Sequence, residues 1–302
     1  MTIDDDEPAI ALARRAFPGA RVQKAAPLTG GVSARVTEIV LVLDDGSERA
    51  LVARTLRENA FKEDARSDVA LEHAILDAAR AAGVPVPRAI ASDRATLLME
   101  RVVGTSALPD DPAPAMADAL TRLHAIDPAP FVSTLPARED PLAPLLEWCA
   151  ADVDVVRALA RARDDDALAG SPACLLHGDF WPGNLLWKDG ALAAVLDFED
   201  AAIGDPLSDL ACARAELSVA LVDDDARRAR VVAAFTARVF ARGENDTRGA
   251  RGLAIWDLYV ATGALRAMDQ WGLAPEVLER RRRATTRFVE EARARLLDES
   301  VR

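Results

Sequence analysis

His177-Gly178-Asp179-Phe180-Trp181-Pro182-Gly183-Asn184, followed by Asp197-Phe198-Glu199, is the stretch from which the rest of the chain is read. Asp179 and Asn184 share a segment with Gly178, Pro182 and Gly183. Such a segment is not helical throughout, so both side chains can turn toward one point. Apolar runs flank it: Ala173-Cys174-Leu175-Leu176 before, and Leu185-Leu186-Trp187 after. Asp189-Gly190 then marks a hairpin turn into Ala191–Leu196, which delivers Asp197 at the end of a buried strand beside the loop. A hard cation such as Mg²⁺ takes a few protein oxygens together with substrate phosphates, and a hydroxyl that attacks needs a carboxylate to receive its proton. One Asp in a loop is ordinarily a turn residue; three oxygen-bearing side chains within one hairpin point to chemistry.

With these residues the chain resembles the aminoglycoside phosphotransferase and choline kinase-like family, small-molecule relatives of protein kinases. Its members carry His-Gly-Asp where protein kinases carry His-Arg-Asp. The resemblance continues through Asp197-Phe198-Glu199, Ile203-Gly204-Asp205-Pro206 and Asp209-Leu210-Ala211. It implies an α+β, two-lobed protein kinase-like fold, with a small N-terminal antiparallel β lobe carrying a helix and a large, mainly helical C-terminal lobe. It also implies transfer of the γ-phosphate of ATP or GTP to a hydroxyl of a small-molecule acceptor. Asp179 would be the catalytic base, Asn184 and Asp197 the Mg²⁺ ligands, His177 a support of the loop backbone, and Asp209 a brace from the following helix. Asp205 before Pro206 reads as a helix N-cap with proline in the first turn, which needs no chemistry.

The N-terminal third reads as a short helix (Pro8 to Phe17) and three strands, Arg21 to Ala26, Arg35 to Leu43 and Arg49 to Leu56. The first two strands are joined through Thr29-Gly30-Gly31-Val32-Ser33. Paired Gly30 and Gly31 let backbone amides approach phosphate oxygens, and Ser33 adds a hydroxyl. Period-two alternation sets Arg54 among apolar neighbours, where a guanidinium needs a partner. Glu72 shares a helical face with Ile75, Leu76 and Ala79, so it is the natural partner. The pair resembles the strand lysine and helix glutamate of kinases, with arginine replacing lysine. Two further strands, Arg88 to Ala91 and Ala95 to Met99, lead into Glu100-Arg101-Val102-Val103-Gly104. This segment resembles the hinge whose main chain, at Glu100 and Val102, holds the nucleotide base. The expected organisation is a nucleotide-binding lobe (1–99), a hinge (100–104) and a helical lobe with catalytic loop and acceptor pocket (105–302).

Beyond the hinge the pattern is helical: Pro114 to Ile126, Leu142 to about Arg163, Ala226 to Arg242, Gly249 to Trp271 and Pro275 to Leu297, with a proline-rich loop at Asp127 to Asp140. His124 reads as a packed core histidine. Trp256, Asp257, Tyr259, Asp269 and Trp271 are suggestive of an amine-binding pocket, since acidic and aromatic groups can hold a cation together, but core packing explains the aromatics equally well. A net charge of −12 disfavours a nucleic-acid partner. Arg280-Arg281-Arg282-Arg283 reads as the solvated face of a terminal helix whose apolar stripe is Val277, Ala284, Phe288, Ala292 and Leu296. The acidic start, Met1-Thr2-Ile3-Asp4-Asp5-Asp6, and the lack of a long apolar run predict a cytoplasmic protein without a membrane anchor. Three cysteines, Cys149, Cys174 and Cys212, have no paired metal spacing and read as core residues. Other reaction classes fit less well. Only three histidines are available for a histidine-rich metal phosphoesterase, and intact Asp179, Asn184 and Asp197 disfavour a silent nucleotide-binding regulator. No Gly-x-Ser-x-Gly, Walker A or Gly-x-Gly-x-x-Gly stretch occurs. Oligomeric state is not legible.

Overall fold

The computed structural model describes residues 8–28, 34–56, 68–170, 173–242 and 249–298, which form two compact units. The first comprises Met1–Thr105 together with Leu185–Asp200, and the second Ser106–Asn184 with Ala201–Arg302. Gly30, Gly31 and Ser33 lie outside the described residues.

In the first unit α1 (Pro8–Ala16) precedes β1 (Arg21–Leu28), β2 (Ala34–Val42) and β3 (Glu48–Leu56); α2 (Val69–Ala81), β4 (Ala89–Ser92) and β5 (Thr96–Glu100) follow. The five strands form one antiparallel sheet in the order β1-β2-β3-β5-β4. Side chains alternate across a strand, so β3 presents Leu51 and Ala53 to one face. There they join Ile39, Leu41 and Leu98 against Ala9, Leu12 and Ala13 of α1. Arg54 therefore emerges on the opposite face, where α2 buries Glu72, Ile75, Leu76 and Ala79. Asp68 starts α2 by accepting from the amides of Ala70 and Leu71, which satisfies two N–H groups that have no partner inside the helix.

The hairpin of β6 (Leu185–Lys188) and β7 (Ala191–Val195) turns through Asp189 and Gly190, both at positive φ. The sequence reading assigns it to the helical part, yet it groups with the first unit. The cause is main-chain pairing: Trp187 and Thr105 exchange both N–H···O bonds at 2.8 and 2.9 Å, and Val195 N–H donates to Pro85 O at 2.7 Å. A Cβ on Gly104 would sit 3.0 Å from both Leu186 Cβ and Trp187 O, so glycine is what permits this approach.

The second unit holds α3 (Ala113–His124), α4 (Leu142–Trp148) and α5 (Val153–Asp164), then a short antiparallel pair, β8 (Cys174–Leu176) with β9 (Ala202–Gly204). Four helices close it: α6 (Pro206–Ala220), α7 (Asp225–Arg242), α8 (Gly249–Ala267) and α9 (Pro275–Leu297). Leu145, Leu159, Ile255, Leu258, Ala292 and Leu296 form the core of α4, α5, α8 and α9. The single helix expected from Leu142 to Arg163 is two, because Asp152 accepts from Val155 N–H at 3.2 Å and from Arg293 Nε at 2.6 Å. A carboxylate so engaged caps a new helix rather than continuing the old one. Val277 is 52% exposed and off the α9 stripe, since Ala274-Pro275 starts the helix there; Ala284, Phe288, Ala292 and Leu296 are buried. Among the described residues no helix is long and apolar enough to cross a membrane.

Candidate active site

Asp179 stands on a loop whose main chain is hydrogen-bonded at His177, Gly178 and Asp179 itself. From fully buried positions the Asp209 carboxylate accepts His177 N–H at 2.8 Å and Gly178 N–H at 2.9 Å, one on each oxygen. His124 Nε2 lies 3.0 Å from Asp209 Oδ2. An ionised carboxylate only accepts, so this ring nitrogen is assigned the proton. Burial alone would raise the Asp209 pKa; the hydrogen bond and charge of His124, and after them His177, outweigh it and hold the carboxyl below its usual range. Arg138 Nη2 donates to Gly178 O at 3.0 Å, so Gly178 is fixed at both ends, with φ at 84°. The His177 ring is fully buried, edge-on to Phe180 at 5.6 Å, and its Nδ1 accepts from Asp179 N–H at 3.3 Å.

The side chain of Asp179 is oriented by Asn184. Asn184 Nδ2 donates to the main-chain oxygen and to Oδ2 of Asp179, both at 3.0 Å. This leaves the Asn184 amide oxygen as the group able to meet a cation. Between them, Trp181 folds over Gly183, where an added Cβ would run into the indole ring. The Arg281 guanidinium sits 5.9 Å from the Trp181 ring and 5.2 Å from that of Trp271, and pairs with Glu216 at 2.6 Å.

In the first unit, Arg54 gathers three carboxylates. Nη1 donates to Glu72 at 2.9 Å; Nη2 donates to Glu199 and stands 3.8 Å from Asp197. Asp197 has φ of 64°, a left-handed backbone that aspartate tolerates better than most residues. Its Oδ1 is buried and takes no hydrogen bond from a described residue. Burial, then the neighbouring Glu199, raises the Asp197 pKa against the pull of Arg54. Burial likewise raises Glu72 to about 7, again with Arg54 opposing. These groups are charged at a cost that a bound cation would offset. Asp197→Asn is accordingly expected to fold at least as stably as the wild type, since asparagine accepts the same backbone and carries no charge. A group whose folded pKa is raised stabilises below its unfolded value and loses that contribution as pH rises. The thermal midpoint of the variant should therefore gain on the wild type as pH climbs above the ordinary carboxylate range.

Glu100 carries its carboxylate toward Arg49 at 3.3 Å and Arg88 at 3.7 Å, and its N–H already donates to Arg88 O. Val102 has no main-chain hydrogen bond to a described residue, and the same holds for Val103 and Gly104, so the hinge segment is open from Val102 onward. Asp205 caps α6 through Leu207 N–H at 2.9 Å and also accepts from Trp256 Nε1 at 2.8 Å. Trp256 and Asp257 are buried, and Asp257 is consumed by Arg214 at 3.0 Å and Arg295 at 2.8 Å. Asp269 pairs with Arg282, and Arg280 with Asp223 at 2.6 Å. Tyr259 stacks on Trp148 at 5.3 Å. Of the five residues suggestive of an amine pocket, Asp269 and Trp271 stay exposed, and Trp271 is the exposed aromatic one, at 43%. Arg138 has no role in the sequence reading, Glu199 enters it only as part of the Asp-Phe-Glu stretch, and His124 only as a packed core histidine; the structure brings all three to candidate-site residues. Of these, Arg138 alone has no signal in the sequence, since it lies in a loop without periodicity.

The family model for the phosphotransferase enzyme family matches residues 24–253. A search of the curated proteins finds no match. Among solved structures, the chain is similar to a macrolide 2'-phosphotransferase from Brachybacterium faecium, at 20% identity over 99% of this chain and 100% of that one, with a TM-score of 0.57. It is similar to the GDP complex of an aminoglycoside 2'-phosphotransferase, at 16% identity over 95% and 99% of the two chains, with a TM-score of 0.59. A putative fructosamine-3-kinase from Thermobifida fusca matches at 22% identity over 91% and 98%, with a TM-score of 0.55. These neighbours share its mixed fold, an antiparallel sheet in the N-terminal part and helices in the C-terminal part. With a family model matching residues 24–253, most of its length, the chain belongs to the phosphotransferase enzyme family.

Proposed function

We propose that this phosphotransferase moves the γ-phosphate of ATP or GTP to a hydroxyl of a small molecule, with Asp179 as base. The observation that carries the reading is the double hold on Asp179: its carboxylate by Asn184 Nδ2, and its loop by the buried Asp209. A base must be aimed before the acceptor arrives, and groups held in advance cost nothing to reorganise during reaction. His177 and Asp209 are positioning residues in this scheme.

Mg²⁺ fits the residues present. Asp197 offers a buried oxygen without a hydrogen bond among the described residues, and Asn184 offers an amide oxygen; both are hard donors. Bound there, the ion would draw charge from the triphosphate oxygens. Arg54, seated by Glu72, supplies a fixed positive charge to the phosphates, Val102 offers main-chain groups to the base, and Gly30, Gly31 and Ser33 are proposed to cover the phosphates. Glu100, whose N–H is already used, contributes through its carbonyl at most. Exposed Trp271, joined through Arg281 to Trp181 of the Asp179 loop, is the acceptor-side residue favoured by the structure. A cytoplasmic setting, where nucleoside triphosphate is plentiful, suits this chemistry.

The test is nucleotide consumption with ATP and GTP in parallel against aminoglycosides, macrolides, amino alcohols and sugars. Consumption that needs both Mg²⁺ and one acceptor class supports the reading. Consumption indifferent to every acceptor would turn it toward simple hydrolysis.

A further inference from the structure

The Asp-Phe-Glu stretch brings a second carboxylate, Glu199, to a nitrogen that the phosphates also need. Arg54 divides its fork: Nη1 holds Glu72 of α2 and Nη2 holds Glu199, with Asp197 at 3.8 Å from that same nitrogen. A lysine would share one ammonium among these partners, whereas arginine lets two nitrogens take separate partners. Among the described residues three carboxylates face this one guanidinium, an arrangement that attracts a cation and sets the acids in competition with phosphate oxygens for Arg54. The partners also differ in freedom. The Glu72 side chain is 7% exposed and sits within α2, while that of Glu199 is 26% exposed, on the loop after β7. Buried Phe198 anchors that loop between the two acids. Glu199 is the partner that can let go.

We propose that Glu199 competes with the triphosphate for Nη2 of Arg54 and releases it by turning to the divalent cation, so that Glu199 makes nucleotide binding depend on metal. This rests on the proposed function, since it takes the nucleotide to bind at Arg54. Asp197 remains the principal protein ligand; Glu199 is a positioning residue that acts through Arg54.

The experiment measures the Kd for ATP by calorimetry, with Mg²⁺ and with a chelator, for the wild type, Glu199→Gln and Glu199→Ala. Glutamine keeps the volume of the side chain, and alanine guards against a substitute hydrogen bond. Without metal, both variants are expected to bind ATP about tenfold more tightly than the wild type, the scale of removing one charge-assisted competitor. The ratio of metal-free to Mg²⁺ Kd should shrink by a similar factor. If metal-free ATP is undetectable on the wild type, its becoming measurable on either variant counts in favour. Metal-free affinity that is unchanged or weaker in both variants overturns the role of Glu199 while leaving the proposed function standing. A wild type that binds neither ATP nor GTP even with Mg²⁺ overturns the proposed function, and this inference with it.

Discussion

Asp179→Asn is expected to lower kcat by about 10³-fold, within the usual range for losing a general base, while leaving the Kd for metal-bound nucleotide unchanged. Asparagine keeps the volume and one oxygen, so the hydrogen bond from Asn184 Nδ2 can persist and the loop stays in place. The four main-chain contacts of the loop, from Asp209, Arg138 and His177, do not involve the Asp179 side chain at all. Only proton acceptance is lost. A variant that lost affinity and turnover together would instead show that Asp179 shapes the loop. Steady-state kinetics beside nucleotide calorimetry separate the two.

The second large effect belongs to a residue that touches no reactant. Asp209→Ala strips three donors, His177 N–H, Gly178 N–H and His124 Nε2, of one fully buried carboxylate. Breaking a buried charged network by removing one partner costs about 3–5 kcal/mol, a large part of the stability of an ordinary domain. Chemical denaturation should show that loss, and activity should fall with the loop. The acid limb offers a further check. A carboxyl with a depressed folded pKa contributes stability above its unfolded value and loses it as pH falls through the folded one. The wild-type advantage over Asp209→Ala should thus narrow on acidification below the ordinary carboxylate range.

Much of this site was legible in the sequence because its parts are local. Period-two alternation placed Arg54 and the helical period placed Glu72, and the two meet at 2.9 Å. Glycine and proline spacing marked the Asp179 loop, and Asp205-Pro206 marked the start of α6. What escaped is what depends on distant chain. Arg138 lies in a loop with no period to read, and only the fold brings it to Gly178 forty residues on. His124 looked like core packing because its partner, Asp209, is 85 residues away. The break at Asp152 follows Cys-Ala-Ala, which gives no stop signal; Arg293, from the far end of the chain, secures it. That Asp257 is taken up by Arg214 and Arg295 was not legible either, because both partners lie on other helices. Grouping of the β6–β7 hairpin with the first unit likewise rests on Thr105 and Pro85.

The most direct measurement follows the label of a γ-³²P nucleotide, with Mg²⁺ and the acceptor found by screening, in the wild type and in Asp179→Asn. The account predicts label in a phosphoester of the acceptor for the wild type and almost none for the variant. Label released only as inorganic phosphate, or transferred equally by Asp179→Asn, would contradict it.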